Sequence, residues 1–243
     1  MRKYGLIGYS LSHSFSKKYF TTKFEKEGIP DAVYELFPIS TIEELPGLLR
    51  SNSDLLGLNV TIPYKEKLFP FLSTYNSIVQ TTRACNCIRI ENGKLNGFNT
   101  DVIGFEKSLL KKLKPIHGRA LVLGTGGAAK AVEFVLRKLG ITYQSVSRKK
   151  SDHTITYSDI DPKSLGQHLL VINTTPVGMY PAVDQSPQLP YEAVTADHFF
   201  FDLVYNPEKT LFLQNAEKKG AEIENGLEML VIQAEESWKI WNE

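Results

Sequence analysis

The sequence predicts an α/β protein whose second half is a parallel sheet wound with helices. Short apolar runs such as Ala120-Leu121-Val122-Leu123 have the length and continuity of strands buried on both faces. Segments with helical spacing alternate with them, and that alternation is the pattern of parallel strands joined by crossover helices. The chain has 243 residues, 42% of them hydrophobic, which is enough apolar material for a sizeable core.

Taken in order, Tyr4 to Ile7 reads as a strand, and Gly8 to Ser14 as a polar loop. A helical pattern follows from Phe15 to Glu27, closed by Gly28 and Pro30, and Val33 to Phe37 is a second strand. Thr41 is placed to cap a helix with Glu43 and Glu44 in its first turn and Leu45, Leu48 and Leu49 on its apolar side. Leu55 to Ile62 is a strand stopped by Pro63. Residues 86–98 form a hairpin turning at Asn92-Gly93. A helix over Ile103 to Leu113 leads to the strand Ala120 to Leu123, a glycine-rich turn, and a helix from Lys130 to Leu139. Strands at Ile141 to Val146, Leu169 to Asn173 and Phe199 to Leu203, a helix at Lys209 to Lys219, and a last helix at Leu227 to Trp241 complete the chain. That last helix carries Leu230, Ala234, Trp238 and Trp241 on one stripe.

Charge excludes several classes of function. Lys and Arg number 28 against 27 for Asp and Glu, and no basic run exceeds Arg148-Lys149-Lys150, so nothing points to nucleic acid. The apolar stretches fall well short of the roughly 20 residues that span a bilayer. Arg2 and Lys3 precede an apolar run that breaks at Gly8 and Ser10, which is a strand rather than a signal-peptide core. Cys85 and Cys87 are too close to bridge easily and make no metal site alone, so they read as reduced thiols of a cytoplasmic protein.

Gly124-Thr125-Gly126-Gly127-Ala128-Ala129 follows a strand and opens a helix, the context a dinucleotide fingerprint requires. Gly124 permits the sharp exit from the strand, Gly126 leaves room for a pyrophosphate, and Ala129 lets helix and strand pack closely. The helix start offers N–H groups and a partial positive charge to phosphates. A tight turn with no ligand would use the same glycines. At the end of the next strand, an NAD site places an acid to hold the ribose hydroxyls. Here the chain reads Ser147-Arg148-Lys149-Lys150, and a guanidinium suits a 2′-phosphate, so the expected cofactor is NADP, held there by Ser147, Arg148 and Lys149. The alternative is a solvated basic loop.

Four further segments concentrate polar residues at strand and helix ends: Ser12 to Ser16, Asn59 to Lys65, Asn99 to Asp101, and Asn225 to Leu227 with Gln233 beyond. Together with Asn173 to Thr175 and Asp202 to Tyr205, in this order and over essentially the whole chain, they resemble the shikimate dehydrogenase family. The resemblance implies an N-terminal α/β substrate domain over residues 1–102, a Rossmann-like NADP-binding domain over 103–226, and a C-terminal helix, 227–243, returning to the first domain. It implies reversible reduction of 3-dehydroshikimate by NADPH, a step of aromatic amino acid and chorismate biosynthesis, in a monomer or homodimer. It assigns Ser14 and Ser16 to the substrate carboxylate. Thr61, Lys65, Asn86 and Asp101 go to the ring hydroxyls and the reacting oxygen, with Asn59 in the same wall and Tyr205 and Gln233 nearby. On the cofactor side it adds Thr175, Leu203 and Gly226 to Gly124, Thr125, Gly126, Gly127 and Ala128. Lys65 and Asp101 are the expected catalytic pair, because a cation beside the carbonyl oxygen stabilises the charge that hydride attack builds and can deliver a proton.

Each residue has a plainer reading as well: Lys65 as a surface lysine, Asp101 as a helix cap, His13 as a structural neighbour with no role. The chain also departs from the family pattern at Lys17, Cys87, Val102 and Glu228, and the stretch after Lys150 is short. Two rival functions fit parts of this pattern. One is a quinate or other small-carboxylate dehydrogenase; the two-domain methylenetetrahydrofolate dehydrogenases share the plan but have no need of the Ser14/Ser16 pair. The other is a non-catalytic NADP-responsive binding protein.

Overall fold

A computed structural model of the chain describes residues 1–9, 11 and 14–243. It divides into two compact units, residues 1–100 with 234–243, and residues 101–233. Two helices run across the division, so each is shared between units at a point inside its own length.

The first unit begins with β1 (Arg2–Gly8), α1 (Phe15–Lys26) and β2 (Ala32–Pro38). Thr41 and Glu44 form a reciprocal capping box on a short 3-10 turn, which leads into α2 (Leu45–Ser51). Then come β3 (Leu55–Val60), β4 (Thr74–Tyr75), α3 (Ser77–Thr82), β5 (Cys87–Glu91) and β6 (Lys94–Phe98). The β5–β6 turn has Asn92 and Gly93 at φ 51° and 73°, the two left-handed positions of the tight hairpin the sequence predicts. The sheet order is β2-β1-β3-β5-β6-β4. β1 is parallel to β2 and β3, while β5 is antiparallel to both β3 and β6. Side chains alternate across it. Leu58 and Val60 join one core with Leu45 and Leu68, and the other face packs Tyr4, Leu6, Phe20 and Tyr34.

The chain's last ten residues close that second face. Trp241 stacks on Tyr4 at 4.9 Å between ring centroids and donates from Nε1 to the Ile88 carbonyl at 3.0 Å. It lies so close to Gly57 that a Cβ there would stand 2.4 Å from the indole. Glu235 pairs with Lys23 at 2.9 Å and takes a hydrogen bond from Tyr19, tying this helix to α1. Trp241 is thus a core residue of the first unit, and half-buried Trp238 packs against that core.

The second unit contains α4 (Thr100–Leu109, from Asp101 on), β7 (Arg119–Leu123), α5 (Gly127–Lys138), β8 (Thr142–Val146), β9 (Thr154–Ile155), α6 (Pro162–Gln167), β10 (Leu170–Asn173), β11 (Phe199–Asp202), α7 (Leu211–Glu217), β12 (Glu222–Glu224) and the first part of α8 (Leu227–Asn242). All six strands are parallel, in the order β12-β11-β10-β7-β8-β9. Counted from β7, that is the doubly wound order of dinucleotide-binding sheets, with its switch point between β7 and β10. Phe199, Phe200 and Phe201 are all fully buried, as a central parallel strand covered on both faces requires. Among the described residues, no helix is long and apolar enough to cross a membrane.

Candidate active site

In the first unit the predicted substrate residues gather at the C-terminal ends of β1 and β3. These strands are parallel neighbours, and the Thr61 N–H donates to the Ile7 carbonyl at 3.0 Å. Gly8 is required here, because a Cβ would stand 2.5 Å from Thr61 Cγ2. Ser12 and His13 lie outside the described residues. Ser14 is the residue before α1, yet its side chain makes no capping bond. Among the described residues its Oγ is buried with no hydrogen-bond partner, an uncommon condition for a hydroxyl. Ser16 differs, since its hydroxyl pairs with Tyr34. Phe15 between them is half-buried and stacks on Tyr19 at 5.7 Å, rather than entering the core.

Tyr34 extends this chain of hydrogen bonds. Its hydroxyl, fully buried and held protonated by that burial, donates to Asn59 Oδ1 at 2.9 Å. Asn59 Nδ2 donates in turn to Ser237 Oγ at 2.9 Å. Both ends of the Asn59 amide are therefore engaged inside the unit. Asn86 is similarly held: its Oδ1 accepts from the Thr100 N–H at 2.7 Å, and its Nδ2 donates to Thr100 Oγ1 at 3.0 Å. Its backbone joins β3 to β6, accepting from the Val60 N–H and donating to the Phe98 carbonyl. Lys65 stands half-buried in the turn after β3, with its carbonyl accepting from the Cys85 N–H at 2.8 Å.

In the second unit, Asp101 is buried within the first turn of α4. The apolar pattern starts this helix at Ile103; Thr100 opens it earlier because Asn86 takes its N–H. Gly104 stands one turn on from Asp101 along the same face. A Cβ at Gly104 would lie 2.6 Å from the Met229 carbonyl and 3.2 Å from Gln233 Cβ, so α4 and α8 meet closely there. That crossing brings Asp101 and Gln233 into one neighbourhood.

The glycine-rich turn lies at the switch point. Gly124 has φ 111°, and a Cβ would meet Thr174 Oγ1 at 2.6 Å and Thr175 Cγ2 at 3.0 Å, so both the conformation and the space demand glycine. Thr174 donates from its N–H and its hydroxyl to the Leu123 carbonyl, locking the ends of β7 and β10 together. Above Gly126, by contrast, a Cβ would meet nothing within 4 Å, and no side chain caps α5. The helix opens at Gly127, three residues before the expected Lys130, so Gly127 and Ala128 present their N–H groups in its first turn. This open space above an uncapped helix start fits a pyrophosphate.

Leu203 and Gly226 also come together. A Cβ on Gly226 would stand 2.1 Å from the Leu203 carbonyl oxygen, and the Gly226 N–H donates to the Val204 carbonyl at 3.2 Å. Tyr205 follows, half-buried. Beneath these ends lies a network that motif reading left without a role. Asp202, fully buried, accepts from Asn173 Nδ2 at 2.9 Å, the Val204 N–H at 3.0 Å and the Thr210 hydroxyl at 2.5 Å. Thr175 joins it through Asn173 Oδ1 at 2.6 Å. Burial raises the Asp202 carboxyl to about 6, against the lowering by those donors.

Arg148 is exposed beyond the end of β8 and makes no ion pair among the described residues, whereas Lys150 is engaged with Asp159 at 3.4 Å. Residues 147–153 join β8 to its parallel neighbour β9 with no helix between, and with Thr125 and Lys130 the loop lines a groove that includes Ser147 and Lys149. Two departures are accommodated: Val102 is buried in α4, and Glu228 pairs with Lys111 in the first turn of α8, where an acid suits the helix start. Tyr34 and Thr210 carried no signal as isolated polar residues. Ser237 carried one, a hydroxyl at helical spacing on the apolar stripe of the last helix.

Comparison with known proteins agrees over the full chain. Residues 6–88 match the family model described as shikimate dehydrogenase substrate binding domain. A shikimate dehydrogenase (NADP(+)) of Caldicellulosiruptor bescii is 38% identical over 259 residues, covering 99% of this chain and 89% of that one. The crystal structure of shikimate 5-dehydrogenase from Thermus thermophilus, in complex with NADP(H) and shikimate, superposes with a TM-score of 0.88 at 31% identity, covering 99% of this chain and 93% of that one. A quinate dehydrogenase from Corynebacterium glutamicum in complex with NAD shares the fold, with a TM-score of 0.84 at 24% identity over 98% of this chain and 93% of that one.

Proposed function

We propose, from the premise that this chain belongs to the shikimate dehydrogenase family, that it catalyses the reversible NADPH-dependent reduction of 3-dehydroshikimate to shikimate. The geometric observation that carries this reading is the buried Ser14 hydroxyl, without a partner among the described residues, at a helix start that it does not cap. A donor left unsatisfied in that position suits an anionic group, and a carboxylate is the anion this substrate offers. Ser16 supplies a second hydroxyl, shared with Tyr34.

NADP, when bound, supplies or accepts the hydride. The open turn at Gly126, with Thr125, Gly127 and Ala128, takes its pyrophosphate, and Thr175, Leu203 and Gly226 border it further along the strand ends. Exposed Arg148, flanked by Ser147 and Lys149, takes the 2′-phosphate. On reduction, the carbonyl carbon gains a hydride and its oxygen gains a proton. Lys65 holds the developing negative charge on that oxygen and delivers the proton. Asp101 is the second member of the proposed catalytic pair, and Thr61, Asn86, Tyr205 and Gln233 are assigned to the remaining polar edge of the ring. Asn59 acts from behind this wall, because its amide is already paired on both sides.

The test is turnover of the purified chain with shikimate or quinate against NADP or NAD. Reduction of NADP by shikimate, faster than any other pairing, is expected. Preference for quinate and NAD would favour the quinate reading, and binding of NADP without turnover of either acid would favour a non-catalytic one.

A further inference from the structure

We infer that Ser237, on the last helix, is a positioning residue for substrate binding. The inference rests on the reading above that Asn86 takes a ring hydroxyl. Ser237 is fully buried, 178 residues from Asn59 in sequence and 137 from Thr100, yet its Oγ meets both. It accepts from Asn59 Nδ2 at 2.9 Å and lies 3.2 Å from Thr100 Oγ1. Thr100 in turn fixes the plane of the Asn86 amide, its Oγ1 accepting from Nδ2 and its N–H donating to Oδ1. Asn59 is held from the other side by Tyr34, which pairs with Ser16. One hydroxyl thus joins the segments carrying Ser16, Asn59 and Asn86.

Tyr34, Asn59, Asn86, Thr100 and Ser237 are all neutral and buried. Without the Ser237 hydroxyl, an Asn59 amide hydrogen is left with the long 3.4 Å contact to the Asn86 carbonyl among the described residues, and the Thr100 hydroxyl loses a neighbour at 3.2 Å. Buried polar groups re-pair when a partner is removed. Here the freest adjustment is rotation of the Thr100 hydroxyl, and the Asn86 amide turns with it. The consequence falls on the substrate and leaves the cofactor turn, in the other unit, untouched.

The experiment uses the full chain, with KM for shikimate, KM for NADP, kcat and thermal midpoint measured for Ser237→Ala, Thr100→Val, the double variant and Cys87→Ala. Cys87 is fully buried and its thiol is a hydrogen-bond partner of Ser237, so Cys87→Ala opens a cavity there and removes that contact while keeping every hydroxyl of the network and its links to Asn59 and Thr100. Ser237→Ala and Thr100→Val should each raise the shikimate KM about tenfold, the worth of one buried hydrogen bond, with kcat and the KM for NADP little changed. The double variant should be no worse than the poorer single one, because both cut the same link. Cys87→Ala should lower the thermal midpoint with a normal shikimate KM. If Ser237→Ala does not fold, Thr100→Val decides alone. A normal shikimate KM in the folded single variants, effects that multiply in the double variant, or an equal KM rise in Cys87→Ala would overturn the inference. A wild type that does not turn over shikimate overturns the functional reading beneath it instead.

Discussion

In the first unit the candidate site is made of side chains: Ser14, Ser16, Thr61, Lys65 and Asn86, steadied by the neutral chain Tyr34–Asn59–Ser237–Thr100. In the second unit the turn proposed for the pyrophosphate is made of backbone. Gly124, Gly126 and Gly226 sit where a Cβ would clash or would fill open space, and the polar support beneath them contains a buried carboxylate, Asp202. A ring carrying a carboxylate and several hydroxyls needs many short-range donors and acceptors in fixed directions. A pyrophosphate needs close approach and N–H groups. The two units differ in the way that these two ligands differ.

The largest effect expected from this contrast falls on the residue proposed for chemistry. Lys65→Met should lower kcat by roughly 10²–10⁴, the usual worth of a positioned acid–base group, with a smaller change in shikimate binding. Near-normal kcat across the pH range would remove Lys65 from that role and leave the first unit with a binding function only.

The next effect separates the two polar networks by charge. Asp202 titrates at about 6 in the folded protein, because burial disfavours its charged form. In the unfolded chain an aspartate titrates near 3.9. Between these values the folded state keeps a proton that the unfolded state has released. The contribution to stability is therefore fully present below about pH 4, is lost as pH rises towards 6, and is constant above that. It amounts to about 3 kcal/mol. Asp202→Asn carries no such titration, so the stability of wild type relative to this variant should fall by roughly 2 kcal/mol between pH 4 and pH 7 in urea unfolding. A difference that stays flat or grows would mean that the buried carboxyl is not raised. Tyr34→Phe, in the neutral network of the first unit, should give a difference that does not vary over this range.

How much of this was legible in the sequence depends on how local each cause is. The strand–glycine turn–helix at Ala120 to Lys138, the hairpin at Asn92-Gly93 and the cap at Thr41 are decided by residues within a few positions of one another, and they stand where the pattern puts them. The starts of α4 and α5 fall about three residues earlier than the apolar pattern suggests. At Thr100 the reason is a partner 14 residues away, the Asn86 side chain. The edge strands β4, β9 and β12 have two or three residues each, too few to show a period, and exist only through pairing with a neighbour. The role of Tyr34 and the partners of Ser237 were hidden for the same reason: their hydrogen bonds join positions 25 and 178 residues apart. The difference between Ser14 and Ser16 was likewise hidden, since it depends on where Tyr34 lies.

The most direct test of the proposed division of labour is a crossed one, on Ser14→Ala and Arg148→Ala, with KM measured for both shikimate and NADP. Each substitution removes one charge-assisted hydrogen bond, which is worth roughly ten- to a hundredfold in binding. Ser14→Ala should raise the KM for shikimate by at least about tenfold, and by more than Ser16→Ala does, because the Ser14 hydroxyl has no partner among the described residues. It should leave the KM for NADP unchanged. Arg148→Ala should do the reverse, weakening NADP while sparing shikimate and NAD. If either substitution weakens both ligands alike, or if Arg148→Ala weakens NAD as much as NADP, Ser14 and Arg148 do not divide the substrate carboxylate and the cofactor phosphate between them as proposed.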